Sequence, residues 1–236
     1  MNKNLLYFSI DEHYKECLFF NLNLLKKHNN NFDICLISPF KIENNNISHM
    51  LCDYNKFFSK LEILNYENYE DYENFLYLDA DAFVIKNINN IFDKINSDKK
   101  NIHGVKEKFN INENINDYFF RFSTKIYQDN DLFNFGTFGF NIKMTDSLNE
   151  FKKYIENNIN YAKIDQSLYN EFFAGEKRNI IPTLSEYVYL GENNNMIYKD
   201  INKISYQDAK IIHLLGNYCN GQSKIDKAKL LLTKFL

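Results

Sequence analysis

Two aspartates separated by one small residue follow a strongly apolar segment near the middle of the chain. Residues 74–78 (NFLYL) run directly into Asp79, Ala80 and Asp81. Two carboxylates this close raise each other's pKa unless a cation neutralises them, and a hard divalent ion with oxygen ligands is the natural cation. The pattern therefore indicates a divalent-cation site at the end of a buried strand. A solvated Asp-x-Asp turn has the same sequence and is the simpler alternative.

The charged residues indicate what such a cation would bind. The chain carries a net charge of −3, and its only arginines are Arg121 and Arg178. Because guanidinium groups are so scarce, a phosphate site in this chain must rely on lysine, backbone N–H groups or a metal. A metal on the acidic turn could hold a diphosphate. The negative net charge argues against a nucleic-acid partner, since general nucleic-acid binders are usually basic.

Length and cysteine content indicate the kind of protein. The 236 residues are enough for one large α/β domain, and we expect a single domain over residues 1–236 that ends in a helix at 224–236. The first apolar run, residues 5–10, is too short for a signal peptide or a membrane span. Four widely spaced cysteines form no CxxC pair and are expected to be reduced: Cys17, Cys35, Cys52 and Cys219. These features predict a cytoplasmic protein.

Short apolar runs alternate with helical patterns along the chain. Strands are predicted over residues 5–10, 32–38, 74–78, 82–85, 101–105, 137–142 and 210–215. Apolar residues at helical spacing predict helices between them, for example at Leu18, Leu22 and Leu25, and at Phe57, Leu61 and Leu64. The alternation predicts an α/β fold with a mostly parallel sheet and helices on both faces. Ligands of such sheets bind at the carboxyl ends of the strands, where the acidic turn lies.

Polar residues predict where several helices begin and end. Asp11 precedes the first helical stripe and can cap it. Ser147 and Glu150 have the spacing of a capping box, which predicts a helix start at Ser147. Asp165 would cap a short helix that Gly175 would end.

The acidic region is similar to a known enzyme family. Residues 75–92 (FLYLDADAFVIKNINNIF) resemble the Asp-x-Asp region of glycosyltransferases with the GT-A fold, and most of all family 8, which includes glycogenin-like and lipopolysaccharide galactosyl- and glucosyltransferases. Further segments resemble that family in the same order: FSIDEHY (8–14), NFGTFGFN (134–141), DQ (165–166) and IHLLG (212–216). The resemblance implies a Rossmann-like GT-A domain. It also implies a metal-dependent, retaining transfer of a hexose from UDP-glucose or UDP-galactose to a hydroxyl of a glycan or another acceptor.

The resemblance implies roles for individual residues. Asp79, Asp81 and His213 match the family's metal ligands, and Mn²⁺ (or Mg²⁺) would suit two carboxylates and an imidazole. Asp165 and Gln166 match residues that flank the reacting sugar, and neither is assigned as a nucleophile. The residues implied in binding the UDP-sugar are Ser9, Asp11, His13, Tyr14, Lys60, Asp79, Ala80, Asp81, Asn134, Gly136, His213, Gly216 and Lys224.

Several of these residues also have simpler interpretations. Asp11 and Asp165 could be plain helix caps, and Tyr14 could be an aromatic residue on a helix face. Lys60 could be a solvated lysine. A histidine in an apolar run such as His213 is more often a hydrogen-bonded core residue than a ligand.

The chain departs from the family pattern in two places. Family members often follow the late His-x-x-Gly segment with a lysine and Pro-Trp, and that lysine grips the diphosphate. Here Gly216 is followed by NYCNGQS, so Lys224 is a later candidate for that contact, and the chain has no tryptophan. His13 stands where asparagine is more usual.

Other functions fit the same residues. An inverting GT-A transferase of another family would use a carboxylate base, and a degenerate member would bind a nucleotide sugar without turnover. The basic, leucine-rich helix at 224–236 could contact a membrane surface or a second copy of the chain, or could simply pack on the sheet. The aromatic stretch 106–131 could shape the acceptor site.

Overall fold

The strands of the protein form one large sheet and one small sheet. The computed structural model describes residues 3–44, 46–55, 57–107, 132–161, 165–177, 179–191, 208–214 and 221–233. Within them the strands are β1 Asn4–Ser9, β2 Asp33–Ser38, β3 Ser48–Leu51, β4 Asn74–Leu78, β5 Ala82–Val84, β6 Ile102–Glu107, β7 Leu132–Asn141, β8 Ile180–Ile181, β9 Val188–Gly191 and β10 Ile211–Leu214. The predicted acceptor segment 106–131 lies mostly outside the described residues, as do Gly216 and Cys219.

The large sheet has the order β3-β2-β1-β4-β7-β6-β8. Strands β3, β2, β1 and β4 are parallel, whereas β7 runs antiparallel to both β4 and β6. The carboxyl ends of β1 and β4 therefore share an edge with the amino-terminal half of β7. The expected mostly parallel sheet is confirmed, and the antiparallel β7 is the strand that brings a second segment to the acidic turn.

The small sheet has the order β5-β10-β9. Strand β5 follows the acidic turn directly and pairs antiparallel with β10, so that His213 lies opposite Ala82. This pairing carries the chain from the large sheet to the small one within a few residues.

Helices cover both faces of the large sheet, as predicted. They are α1 Lys15–Leu25, α2 Asn89–Ser97, α3 Thr145–Asn158, α4 Asp165–Tyr169 and α5 Gly221–Leu232. Alternate residues of β1 point to opposite faces, because side chains alternate along a strand. Leu6 and Phe8 join one apolar cluster with α1 and α2, whereas Leu5 and Tyr7 join another with α3. Among the described residues, no helix combines the length and hydrophobicity that crossing a bilayer requires.

Three predicted helix boundaries are wrong, and one predicted helix is of a different type. The capping box does not form, because Asn141 ends β7 and its side chain caps the turn Ile142–Met144, so α3 already begins at Thr145. Gly175 does not end α4, which continues as a π-helix over Asn170–Glu176. The segment around Leu61 is a 3₁₀ helix, Ser59–Asn65. The last helix begins at Gly221 rather than at 224.

Strand β7 begins at Leu132 rather than at residue 137. Its residues are buried on both faces, so the segment lacks the alternation of polar and apolar residues that usually marks a strand. The part of β7 that was not predicted to be a strand includes Asn134 and Gly136.

The buried His103 on β6 gives a prediction on pH dependence. Its Nδ1 lies 2.7 Å from Thr183 Oγ1 and its Nε2 lies 2.8 Å from the carbonyl oxygen of Asp98. Burial lowers the pKa of the ring and outweighs the opposing effect of Asp98. The folded protein therefore holds this proton less tightly than the unfolded chain does. We expect the free energy of unfolding to fall as the pH drops below about 6.5, by at most about 1.4 kcal/mol per pH unit for this group.

Urea unfolding at several pH values measures this slope. His103→Gln should flatten it, whereas His13→Gln should not, because the His13 side chain is 88% exposed in the folded protein. An unchanged slope in His103→Gln would mean that other groups govern the acid side of the stability curve.

Candidate active site

The acidic turn connects the two sheets. Asp79 follows β4, and its backbone N–H donates to the carbonyl of Gly136 on β7 at 2.7 Å. The N–H of Ala82 donates back to the carbonyl of Asp79 at 2.9 Å, which closes a tight turn before β5. The N–H of Leu214 on β10 donates to the carbonyl of Asp81 at 3.2 Å. The backbone of both aspartates is thus fixed by strands from other parts of the chain.

Asp79, Asp81 and His213 come together at this turn. His213 Nε2 lies 3.4 Å from Asp81 Oδ1 and 3.8 Å from Asp79 Oδ2. One ligand atom from each residue lies within 4.8 Å of the others, so the group could hold a metal ion. Asp81 and His213 are buried, whereas Asp79 is partly open to solvent. The sequence predicted this grouping across more than 130 positions of the chain.

The space between these ligands depends on Gly136. A Cβ atom at this position would lie 2.3 Å from Asp79 Oδ2 and 2.3 Å from His213 Cε1. The backbone of β7 can therefore approach the carboxylate and the imidazole only because residue 136 has no side chain. Two carboxylate oxygens and an imidazole nitrogen form a ligand set that suits a divalent cation. The residues at this position fit a metal site.

Asp81 also pairs with a buried lysine from the last helix. Lys224 on α5 is 2% exposed, and its ammonium group contacts Asp81 Oδ2 and donates to the carbonyl of Leu214 at 3.2 Å. Burial by itself raises the pKa of the Asp81 carboxyl, but His213 and Lys224 outweigh this effect and hold the pKa well below its usual value. Lys224 lies 5.4 Å from the ring centre of Tyr14, so the helix joins the acidic turn to the turn after β1.

The pairing predicts that Lys224 matters for stability. In Lys224→Met, Asp81 keeps its burial but loses the ammonium group, and we expect the free energy of unfolding to fall by about 3–5 kcal/mol. Lys229→Met is the matched control, because Lys229 is an exposed residue of the same helix and its ammonium group lies 5.9 Å from the ring centre of Phe20. Its loss should cost less than about 1 kcal/mol. Urea unfolding without divalent metal measures both. Equal stability of the two variants would contradict a structural role for the buried pair.

Lys60 is a second buried lysine in the site. Its ammonium group lies 2.9 Å from Asp165 Oδ2 and 3.6 Å from Asp79 Oδ1, and it donates to the carbonyl of Phe135 at 3.0 Å. Burial alone lowers the pKa of Lys60, but the carboxylates of Asp165 and Asp79 outweigh it and raise the pKa above its usual value. The interpretation of Lys60 as a solvated lysine is therefore wrong. Lys60 links the acidic turn to the start of α4.

The start of α4 contacts the first half of β7. Asp165 is the first residue of α4; its Oδ1 accepts from the N–H of Gln166 at 2.9 Å, and its Oδ2 pairs with Lys60. Gln166 Oε1 accepts from the N–H of Phe135 at 3.1 Å and lies 3.5 Å from Asn134 Nδ2. Asn134 Oδ1 in turn accepts from the N–H of Gly136 at 2.8 Å. These contacts place Asp165, Gln166 and Asn134 beside the metal-site glycine.

A cleft lies over these residues. Its lining residues are Ser9, Ile10, Tyr14, Tyr54, Lys60, Asp79, Ala80, Asp81 and Asp165. The cleft opens to solvent. The cleft therefore joins the end of β1 and the acidic turn to Lys60 and Asp165.

The turn after β1 contains Asp11, His13 and Tyr14, and each of these side chains has a different environment. Asp11 Oδ1 accepts from the N–H of His13 at 2.9 Å, so Asp11 does cap the short helix Glu12–Tyr14. The side chain of His13 points largely into solvent. The ring of Tyr14 reaches the cleft. The predicted nucleotide-binding roles of Ser9, Asp11, His13 and Tyr14 remain predictions.

Two tyrosines of the site were not predicted. The hydroxyl of Tyr77 donates to Asp79 Oδ1 at 2.5 Å. The alternation of side chains along β4 puts Tyr77 and Asp79 on one face, so this contact could have been inferred from the sequence. Tyr54 lies in the connection after β3, where no periodicity marks it.

The fold and the site define a GT-A glycosyltransferase. The chain belongs to the family described as "Glycosyl transferase family 8", which matches residues 2–219. The family and the fold that the sequence resemblance implied are both confirmed, and the protein is a glycosyltransferase.

Solved structures show the same fold at low sequence identity. The galactosyltransferase LgtC, solved in complex with donor and acceptor sugar analogs, has a TM-score of 0.67 and 14% identity, with 97% of this chain and 95% of that chain covered. The glycosyltransferase GlyE of Streptococcus pneumoniae TIGR4 has a TM-score of 0.62 and 15% identity. The match spans 100% of this chain but 63% of the GlyE chain. No curated protein matches the chain in sequence.

Proposed function

We propose that the protein transfers a hexose from a UDP-sugar, UDP-glucose or UDP-galactose, to a hydroxyl of a glycan or another acceptor, with retention of the anomeric configuration. Asp79, Asp81 and His213 would hold Mn²⁺ or Mg²⁺. The observation that carries the proposal is the convergence of these three side chains around Gly136 at the carboxyl end of β4. The match to a glycosyltransferase family supports this chemistry. So does the position of the three side chains at the carboxyl ends of the strands, where ligands of such sheets usually bind.

The charges of the site suit a diphosphate leaving group. A divalent cation bound here supplies positive charge that stabilises the negative charge growing on the diphosphate. Lys60 and Lys224 stand on either side of the acidic pair and are both buried. Lys60 faces Asp79 and Lys224 pairs with Asp81, and either ammonium group can also bind a phosphate oxygen. Lys224 would make the contact with the diphosphate that a lysine after the His-x-x-Gly segment makes in the family.

The contacts of Asp165 support a role in orientation. One carboxylate oxygen accepts from the N–H of Gln166 and the other pairs with Lys60, so both oxygens have partners. A carboxylate whose two oxygens are both engaged is not free to turn toward an anomeric carbon. Asp165 and Gln166 would therefore position the sugar, which agrees with a retaining reaction that needs no protein nucleophile.

A donor assay tests the proposal. Purified protein is incubated with UDP-glucose or UDP-galactose and Mn²⁺, UDP release is measured, and EDTA is then added. We expect release with one of the donors and its loss on chelation. Donor at about 100 times its dissociation constant should stabilise the protein by about 2.7 kcal/mol in thermal unfolding.

Each rival function has its own outcome in this assay. An inverting transferase would give the opposite anomer in the NMR spectrum of the product. A binding protein would be stabilised by UDP but would release none from any donor. Activity that survives EDTA would remove the metal from the proposal.

A further inference from the structure

Tyr54 is an aromatic residue at the rim of the cleft that the proposed chemistry does not yet use. It lines the cleft and is 40% exposed, although it is large and partly apolar. The connection that carries it is held in place by Asn55. Asn55 Oδ1 accepts from the N–H of Phe57 at 3.0 Å, and its carbonyl accepts from the N–H groups of Phe58 and Ser59. Tyr54 is thus a partly exposed residue, and hydrogen bonds hold the backbone next to it in place.

The charged groups around Tyr54 differ from those around Tyr14. Those that act most strongly on its hydroxyl are Lys60, then Asp79, then Asp165. Tyr14, the other tyrosine of the cleft, lies beside Lys224 and Asp81 instead. Tyr14 therefore lies on the Lys224 side of the acidic turn, whereas Tyr54 lies nearer to Lys60.

Tyr14 and Tyr54 would contact different parts of a nucleotide sugar. If the cation site takes the diphosphate, as in the proposed function, the nucleoside and the sugar extend in opposite directions from it. Both tyrosines line the cleft, together with Ser9 and Ile10 at the end of β1 and with Lys60 and Asp165. A tyrosine ring combines an apolar face with a polar tip, which suits the C–H face and the hydroxyls of a pyranose ring.

We propose that Tyr54 is a specificity-determining residue that stacks its ring on a pyranose near Lys60 and Asp165 in the cleft. This inference rests on the proposed function. The pyranose can belong to the donor or to the acceptor, and both present the same chemistry to the ring.

The experiment compares ligands with and without the sugar. Isothermal titration in Mn²⁺ measures the dissociation constants of UDP and of the active UDP-hexose, and steady-state kinetics measures the KM for the acceptor. For Tyr54→Ala we expect UDP to bind as in the wild type. Binding of UDP-hexose should weaken about tenfold if the ring covers the donor sugar, or the acceptor KM should rise about tenfold if it covers the acceptor.

Two further variants separate stacking from other effects. Tyr54→Phe keeps the ring and should retain most of the wild-type affinity. Leu51→Ala is the control, because Leu51 is also a large exposed residue, 55% exposed, and lies outside the cleft lining. Leu51→Ala should change neither of the two dissociation constants nor the acceptor KM.

The inference is overturned if Tyr54→Ala weakens UDP and UDP-hexose equally, or if it changes none of the three constants. Failure of the wild type to bind any UDP-hexose would instead refute the proposed function, and the inference with it. Binding of UDP-hexose to the wild type therefore tests the proposed function, and the comparison of Tyr54→Ala with the wild type tests the role of Tyr54.

Discussion

Gly136→Ala should abolish metal-dependent transfer although it removes no ionisable side chain of the site. The added Cβ would lie 2.3 Å from Asp79 Oδ2 and from His213 Cε1, a distance at which something must move. Neither neighbour can move freely. Asp79 is held by the hydroxyl of Tyr77 and by the carbonyl of residue 136 itself, and His213 is held in β10 by its pairing with β5 and β9. The ligands must therefore separate.

We expect Mn²⁺ to bind Gly136→Ala at least about 100-fold more weakly than the wild type, since even changes to outer-shell partners commonly cost 10–100-fold in metal affinity. Electron paramagnetic resonance of free Mn²⁺ measures the binding, and UDP release measures the transfer.

A second glycine of the same strand provides the control. A Cβ at Gly139 would lie 2.4 Å from Ile95 Cδ1, the end of a flexible side chain in the core. Gly139→Ala should therefore lower the free energy of unfolding by about 1–3 kcal/mol and leave the affinity for Mn²⁺ unchanged. Wild-type Mn²⁺ affinity in Gly136→Ala, or equal losses in both variants, would show that the glycine does not shape a metal site.

Asp81→Asn should have an effect of similar size through a different cause. The substitution keeps the shape of the side chain but removes the charge that faces His213 and Lys224. We expect at least about 100-fold weaker binding of Mn²⁺ and a matching loss of transfer. Asp93→Asn, at an exposed position of α2, is the matched control and should change neither.

Loss of Asp81 also leaves Lys224 buried without its carboxylate, so a fall in activity could reflect a damaged fold. The double variant Asp81→Asn with Lys224→Met resolves this, because it removes both charges of the buried pair together. Removing both partners is usually far less destabilising than removing one. We expect the double variant to recover most of the stability lost in Asp81→Asn but none of the Mn²⁺ binding. Recovery of metal binding along with stability would place the ion elsewhere.

Much of the site could be predicted from local sequence. The apolar run of β4 and the two aspartates after it are adjacent in the chain, so the strand and its acidic turn follow from neighbouring residues alone. His213 could be joined to them because its segment also ends an apolar run and resembles a family motif. Strand β7 was only partly predicted, since burial on both faces removes the alternation that marks a strand.

The sequence by itself determined seven of the ten described strands, the acidic turn and the family to which the chain belongs, but not β3, β8 and β9. The family resemblance had named Lys60 and Lys224 as candidates, but only the tertiary structure decided that each is buried against a carboxylate. Lys224 lies 143 positions beyond Asp81, and nothing around either residue shows that they meet in the core. The same holds for Lys60 and Asp165, and for Tyr54 at the cleft rim. The reason is physical: periodicity and caps depend on neighbours along the chain, whereas a buried ammonium group is stable only where packing brings a carboxylate to it.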